Sequence, residues 1–367
     1  MEPRCRREQP HRDQPALKGF PKVPVSAQSD EEFQPPGWLR NRHLQSMLAS
    51  TSARRGPIVR RAAPVVAAER QMLLDCGDGV RLQCFHSHPA AAPAHPHRSG
   101  SPVVLLHGWE GSAESLYVLS LAQQLYERGF DVIRLNLRDH GATHHLNREL
   151  FHSCRLPEVI GAMRSLQGLF PGRSMYLVGF SLGGNFVLRV ATEATTGGAP
   201  GLSIGKVIAV SPVLDPGETL IALEQGFPGY QLYFVRKWMR SLLKKQAAWP
   251  GDYDFGRFGR FTDLRRMTGE LIRHFTEFPS LDDYLNGYSI TGGKLEELEV
   301  PASIITSLDD PIIPAHSLEQ LGHPPNLRLI VTRYGGHCGF LEHLVGPSWV
   351  ERRIVAELEE AEALRSA

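Results

Sequence analysis

The stretch Tyr176-Leu177-Val178-Gly179-Phe180-Ser181-Leu182-Gly183-Gly184-Asn185 decides how this chain reads. The apolar run from Met175 to Val178 predicts a buried parallel strand. It enters Gly-x-Ser-x-Gly, and helix-forming residues follow from Asn185 to Ala194. Strand, sharp turn and helix are the context in which a serine stands exposed as a nucleophile at the carboxyl end of a sheet. Gly179 and Gly183 lack a Cβ, so strand and helix can close around a strained Ser181. The competing reading makes Ser181 a helix N-cap, a position that favours serine. The flanking strand and helix favour the nucleophile.

Working outward, strand and helix patterns alternate. Val103 to Leu106, Val132 to Leu137, Val207 to Val210, Ala302 to Thr306 and Leu327 to Thr332 read as strands. Ser115 to Arg128, Leu156 to Leu169, Leu182 to Thr195, Ala315 to Leu321 and Phe340 to Leu364 read as helices. Such alternation predicts an α/β protein, with a mostly parallel central sheet and helices on both faces. Glu69 to Asp75 and Val80 to His86, joined through Asp78-Gly79, predict a hairpin. Asn41 to Leu48 reads as a short helix against the body. From Ser211 to about Gly293 no strand is evident, so a helical cap insertion is expected at about 213–293. The domain is expected over 33–360, behind a disordered tail at 1–32.

A serine hydroxyl needs a base, and the base needs an orienting acid. The strand at Ile304-Ile305-Thr306 leads into Ser307-Leu308-Asp309-Asp310-Pro311. The strand at Leu329-Ile330-Val331 leads into Tyr334-Gly335-Gly336-His337-Cys338-Gly339-Phe340. Carboxylate and imidazole thus arrive at the edge where Ser181 is expected. Adjacent Asp309 and Asp310 point in different directions, and the spacing to the proline that follows favours Asp310 as the acid. Asp309 is then a turn or cap residue. A developing oxyanion needs donors. The amide of Leu182 is one candidate. The amide of Trp109, in Leu105-Leu106-His107-Gly108-Trp109-Glu110-Gly111, is the second. The Trp109 indole reads equally as pocket wall or core.

Two histidine-rich stretches invite a metal reading. In 86–97, His86, His88, His95 and His97 have no acid or cysteine pattern beside them, so a plain loop is expected. Asp139-His140-Gly141 with His144 and His145 is expected to rim the site without binding metal. No metal or organic cofactor is expected.

Taken together, these residues resemble the α/β-hydrolase superfamily, and within it the YheT-like branch that includes the mammalian abhydrolase-domain ester and lipid hydrolases. The marks are His43-Leu44-Gln45-Ser46-Met47, His107-Gly108-Trp109-Glu110-Gly111-Ser112, the Ser181 elbow, Asp309-Asp310-Pro311 and Gly335-Gly336-His337-Cys338-Gly339-Phe340. Phe151-His152-Ser153 and Tyr284-Leu285-Asn286-Gly287-Tyr288-Ser289 also look like segments of that family. The resemblance spans about 33 to 355. It implies Ser181, Asp310 and His337 as the charge-relay residues and carboxylic ester hydrolysis as the activity. Arg138-Asp139-His140-Gly141 departs from the family's usual Arg-Gly loop. The membrane anchor of the mammalian relatives is not expected to carry over, since no apolar run reaches membrane-spanning length.

Composition narrows the partners. Among 367 residues, 40 Lys and Arg oppose 39 Asp and Glu, so no global field favours nucleic acid. Five cysteines without C-x-x-C spacing suit free thiols in the cytoplasm. The expected substrate is a small-molecule ester or lipid: a short- or medium-chain acyl ester, or a glycerolipid. Two other classes stay open, an acyltransferase using the same triad and a non-catalytic binding module. Tyr230 to Lys245 mixes aromatic and basic residues at helical spacing. It reads either as a lid helix with buried aromatics or as a peripheral lipid contact.

Overall fold

The computed structural model describes residues 33–89 and 101–366. The tail expected at 1–32 lies outside them, as do His95 and His97. After a 3-10 turn at Gly37–Leu39, α1 spans Arg42–Leu48 and α2 spans Ser52–Ala67. Asn41 caps α1, its side chain accepting from the amides of His43 and Leu44. The sequence reading gives no element for α2, because Pro57 and Pro64 sit inside it. It forms because Ile58, Ala62 and Val65, on one face, are buried, and tertiary packing outweighs local propensity.

Strands β1 (Glu69–Asp75) and β2 (Arg81–Ser87) pair antiparallel. Gly77, Asp78 and Gly79 turn between them with positive φ, as the Asp-Gly signal predicts. Then come β3 (Val103–Leu106), α3 (Leu116–Glu127), β4 (Val132–Leu135), α4 (Leu156–Leu169), β5 (Met175–Phe180), α5 (Leu182–Thr196) and β6 (Ile204–Val210). The segment expected as a cap holds α6 (Pro216–Gln225), α7 (Pro228–Ala248), α8 (Leu264–Phe275) and α9 (Leu281–Gly287). β7 (Ala302–Ser307), β8 (Leu327–Thr332) and α10 (Trp349–Ser366) close the chain. The last helix starts nine residues later than its apolar pattern suggests. Gly346, at φ 117°, and Pro347 keep the preceding segment irregular. Ala315–Gln320 is a 3-10 turn, one residue short of the helix read there.

The eight strands form one sheet in the order β1-β2-β4-β3-β5-β6-β7-β8. β2 is antiparallel to its neighbours, and β4, β3, β5, β6, β7 and β8 run parallel. Alternate side chains feed two cores. Val104 and Leu106 pack with α4 and α5, while Val103 and Leu105 pack with α2, α3 and α10. The parallel strands send their carboxyl ends to one edge of the sheet, which places all the loops considered next. Among the described residues, no helix is long and apolar enough to cross a membrane.

One contact tests the packing directly. A Cβ on Gly161, in α4, would overlap the Cys76 carbonyl where β1 ends. Gly161→Ala gains about 1 kcal/mol of helix propensity. We expect it nevertheless to destabilise the fold, since overpacking costs about 1–3 kcal/mol. Urea melts of the two proteins check the sign.

Candidate active site

The elbow follows from crowding. Ser181 links β5 to α5 at φ 53° and ψ −118°, a strained positive-φ conformation. A Cβ on Gly179 would overlap the Gly183 carbonyl, and one on Gly183 would lie 2.5 Å from the carbonyl oxygens of Leu106 and His107. Only glycine lets β3, β5 and the first turn of α5 meet there. Of the seven described non-glycine residues with positive φ, six follow the carboxyl ends of the strands from β3 to β8. They are Glu110, Asp139, Ser181, Ser211, Cys338 and Phe340, so strain concentrates at one edge.

Two loops bring partners to Ser181. His337 Nε2 lies 3.0 Å from Ser181 Oγ, and His337 Nδ1 lies 2.9 Å from Asp310 Oδ2. The Asp310 side chain is fully buried, and its Oδ1 accepts from the amides of Ile312 and Ile313 at 2.8 and 2.9 Å. Those bonds hold the carboxylate in one orientation. Asp309 turns elsewhere and accepts from the Gly336 amide at 2.9 Å. Burial disfavours the His337 imidazolium, but the facing Asp310 carboxylate outweighs it and raises the His337 pKa well above 6.5.

The short helix α1 braces this loop. The Ser46 hydroxyl accepts from the His337 amide at 2.8 Å. Gln45, fully buried, donates to the carbonyls of Leu39 and Leu341 and accepts from the Leu341 amide at 2.7 Å. Gly336 and Gly339 pass so close that a Cβ on either would sit 2.5–2.6 Å from the carbonyl oxygen of Arg42 or Gln45. The motif His43-Leu44-Gln45-Ser46-Met47 is thus a clamp on the histidine loop, a role its sequence does not announce.

The loop after β3 runs along Ser181. A Cβ on Gly108 would be 3.1 Å from the Ser181 Cβ. α5 begins at Leu182, whose amide is among those with no acceptor inside the helix. Two buried histidines fasten the loop. His107 Nδ1 donates to the Gly108 carbonyl at 2.8 Å, and its Nε2 accepts from the Leu137 amide at 3.2 Å. His140 Nδ1 donates to the Arg138 carbonyl at 2.7 Å, and its Nε2 accepts from the Glu110 amide at 3.1 Å. Burial pushes the His140 pKa down to about 4 and that of His107 well below 6.5, so both stay neutral. His144 Nε2 contacts Ser241 Oγ at 2.8 Å. His140 and His144 therefore serve as ties between segments.

The inserted helices roof the edge. Trp109 stacks on Phe234 of α7 at 5.2 Å and meets the edge of Trp238 at 5.0 Å. Between the roof and Ser181 lies a cavity of ≈ 940 Å³, lined by Trp109, Phe151, Leu220, Phe234 and Ile312, with Ser181 and His337 in its wall. Glu110, Lys237 and Lys244 also face it. Burial pushes the Glu110 carboxyl up to about 7 against the pull of Lys237 and Lys244. Lys245 pins α7 below: its Nζ donates to Asp139 Oδ1 at 2.8 Å and to the carbonyls of Asn147 and Glu149 at 2.6 and 3.0 Å.

The family model described as the alpha/beta hydrolase fold matches residues 101–344. The candidate esterase YheT of Escherichia coli is 26% identical over 334 residues, covering 89% of this chain and 92% of that protein. Phospholipase ABHD3 of Homo sapiens is 22% identical over 321 residues, 85% of this chain and 74% of that protein. An esterase of Pyrococcus furiosus superposes with a TM-score of 0.51 at 17% identity, over 80% of this chain and 90% of that one. At that identity the likeness shows the fold alone.

Two measurements probe this geometry. In an NMR titration, the His337 ring should titrate above pH 6.5 in the native chain. It should fall in Asp310→Asn, where the largest opposition to burial is gone and only that of Cys338 remains. An unshifted His337 in the variant would remove Asp310 as the cause. Gln45→Leu strands the amide of Leu341 and two carbonyls, and leaving a buried group unpaired costs about 1–3 kcal/mol. A denaturant midpoint equal to the native one would show that the clamp contributes nothing.

Proposed function

The chain belongs to the α/β-hydrolase fold family, and from that premise we propose that it is a serine hydrolase cleaving carboxylic esters through an acyl-enzyme on Ser181. The observation that carries this reading is the continuous line Asp310 Oδ2, His337 Nδ1, His337 Nε2 and Ser181 Oγ, with contacts of 2.9 and 3.0 Å.

In the first step His337 takes the Ser181 proton as Oγ attacks the ester carbonyl, and the oxygen of that carbonyl becomes an oxyanion. The amides of Leu182 and Trp109 receive it. The position of Leu182 at the head of α5 and the closeness of Gly108 to Ser181 support that assignment. His337 then protonates the leaving alcohol. Water, deprotonated by His337, attacks the acyl-enzyme, and the acid leaves as Ser181 regains its proton. Asp310 orients the ring and stabilises the imidazolium in both steps. Neither step calls for a metal or an organic cofactor.

The substrate class is a short- or medium-chain acyl ester or a glycerolipid ester. The apolar and aromatic wall of the cavity supports an acyl group there, and its volume lies within the range of small-molecule sites. The names of the relatives agree in chemistry, one a candidate esterase and one a phospholipase. Among the described residues, four free thiols, Cys76, Cys84, Cys154 and Cys338, support the cytoplasm as the working compartment.

A p-nitrophenyl ester series from acetyl to palmitoyl, run on the native chain and on Ser181→Ala, tests the reading. We expect turnover that peaks at one chain length and falls by at least about 1,000-fold in the variant. Equal rates in both proteins would remove Ser181 as the nucleophile. Product diverted to an added alcohol or thiol would mark an acyltransferase, because both activities share the acyl-enzyme. No turnover and no acylation of Ser181 would leave a binding module on a hydrolase fold.

A further inference from the structure

We propose that His86, His88 and Asp131 form a divalent-metal site of the zinc type, at the edge of the sheet opposite Ser181. The strand register builds it. Ser87 pairs with Val132 across β2 and β4, so one step along the ladder His88 faces Asp131. His86 lies two residues back on β2, and side chains two apart share a face. Asp131 immediately precedes β4, whereas Ser181 follows β5, so the parallel strands separate the two sites.

Three donor atoms converge there, all within 4.8 Å of one another. Both imidazoles aim at a single carboxylate oxygen. His86 Nε2 lies 2.8 Å and His88 Nδ1 2.7 Å from Asp131 Oδ1. The other oxygen, Oδ2, is held by Arg173 at 2.9 Å. That guanidinium fixes the carboxylate as outer partners do in metal centres, leaving Oδ1 as the ligating atom. With hydrogen bonds alone, each ring must present an N–H to the same oxygen. A cation removes that demand by taking one lone pair from each of the three atoms.

The donor set selects the ion. Two imidazole nitrogens and one carboxylate oxygen suit zinc, which binds them at about 2.0–2.2 Å in tetrahedral geometry. Ligand atoms on such an ion stand about 3.4 Å apart, so each histidine contact has to open by only about 0.6 Å. Exposure supplies the fourth position. The Asp131 and His86 side chains are 5% and 19% exposed, but that of His88 is 58% exposed, so water reaches one side. Nothing here touches the cavity at Ser181, so the site is structural, tying the end of β2 to the start of β4.

The test is equilibrium dialysis of the full chain against zinc chloride, followed by thermal melts at each free zinc concentration. We expect one equivalent bound per chain and a melting temperature that rises with free zinc, as for any ligand confined to the folded state. His88→Ala, at a half-open position that the fold tolerates, should weaken binding by at least about tenfold. A His95→Ala and His97→Ala double variant should keep the full equivalent. Absence of saturable binding would overturn the proposal. So would an unchanged isotherm in His88→Ala, or a loss that follows His95 and His97 instead. Circular dichroism of each variant separates a lost ligand from a lost fold.

Discussion

The crossing of β3, β5 and the first turn of α5 is the constraint on which the rest of the site depends. Backbone atoms meet there at distances that no Cβ survives, and Ser181 occupies a strained positive-φ conformation as a result. Such strain costs on the order of 1–3 kcal/mol per residue and persists only where the surroundings over-determine it. Here they do. The Ser181 amide donates to the Val210 carbonyl at 2.9 Å, and its carbonyl accepts from Asn185 at 3.0 Å. Strand pairing and helix initiation together hold the turn from both sides, and the hydroxyl is left facing the cavity.

The imidazole of His337 reaches that hydroxyl by a longer route. His337 comes from a loop whose conformation α1 enforces, almost three hundred residues earlier in the chain. Gln45 bonds Leu341 across 296 positions, and Ser46 bonds His337 across 291. Closing so long a loop costs little more entropy than closing one of half its length, because the cost grows with the logarithm of length. Buried amide-to-carbonyl bonds with no competing water are enough to hold it. The contact between His337 and Ser181 therefore depends on a helix that touches neither hydroxyl nor ring nitrogen.

Much of this was legible in the sequence, and the reason is local. Ser181, Asp310 and His337 each stand in a short turn directly after an apolar run, so pattern alone puts them at one edge. The hairpin and the alternating elements are legible for the same cause. What escaped depends on distance through space. α2 carries two prolines and shows itself only through the core it covers. The choice of Asp310 over Asp309 was legible from the spacing to Pro311, but the partner of Asp309, the Gly336 amide, was not. His86 and His88 read as a loop without an acid because Asp131 arrives from 43 residues away, through the pairing of β2 and β4.

The same physics explains how one loop cluster uses histidine in two opposite ways. Burial disfavours the imidazolium at His107, His140 and His337 alike. At His107 and His140, a carbonyl accepts from Nδ1 and an amide donates to Nε2, an arrangement that satisfies the neutral ring completely. At His337 the Nδ1 partner is a carboxylate, which favours the charged form and raises the ring's affinity for a proton. The two neutral rings lie 4.9 Å apart, tilted against each other, and fasten the loop that carries Trp109 without adding charge near Ser181. Partner choice, rather than residue type, thus separates the histidines that hold the edge rigid from the one that can carry a proton.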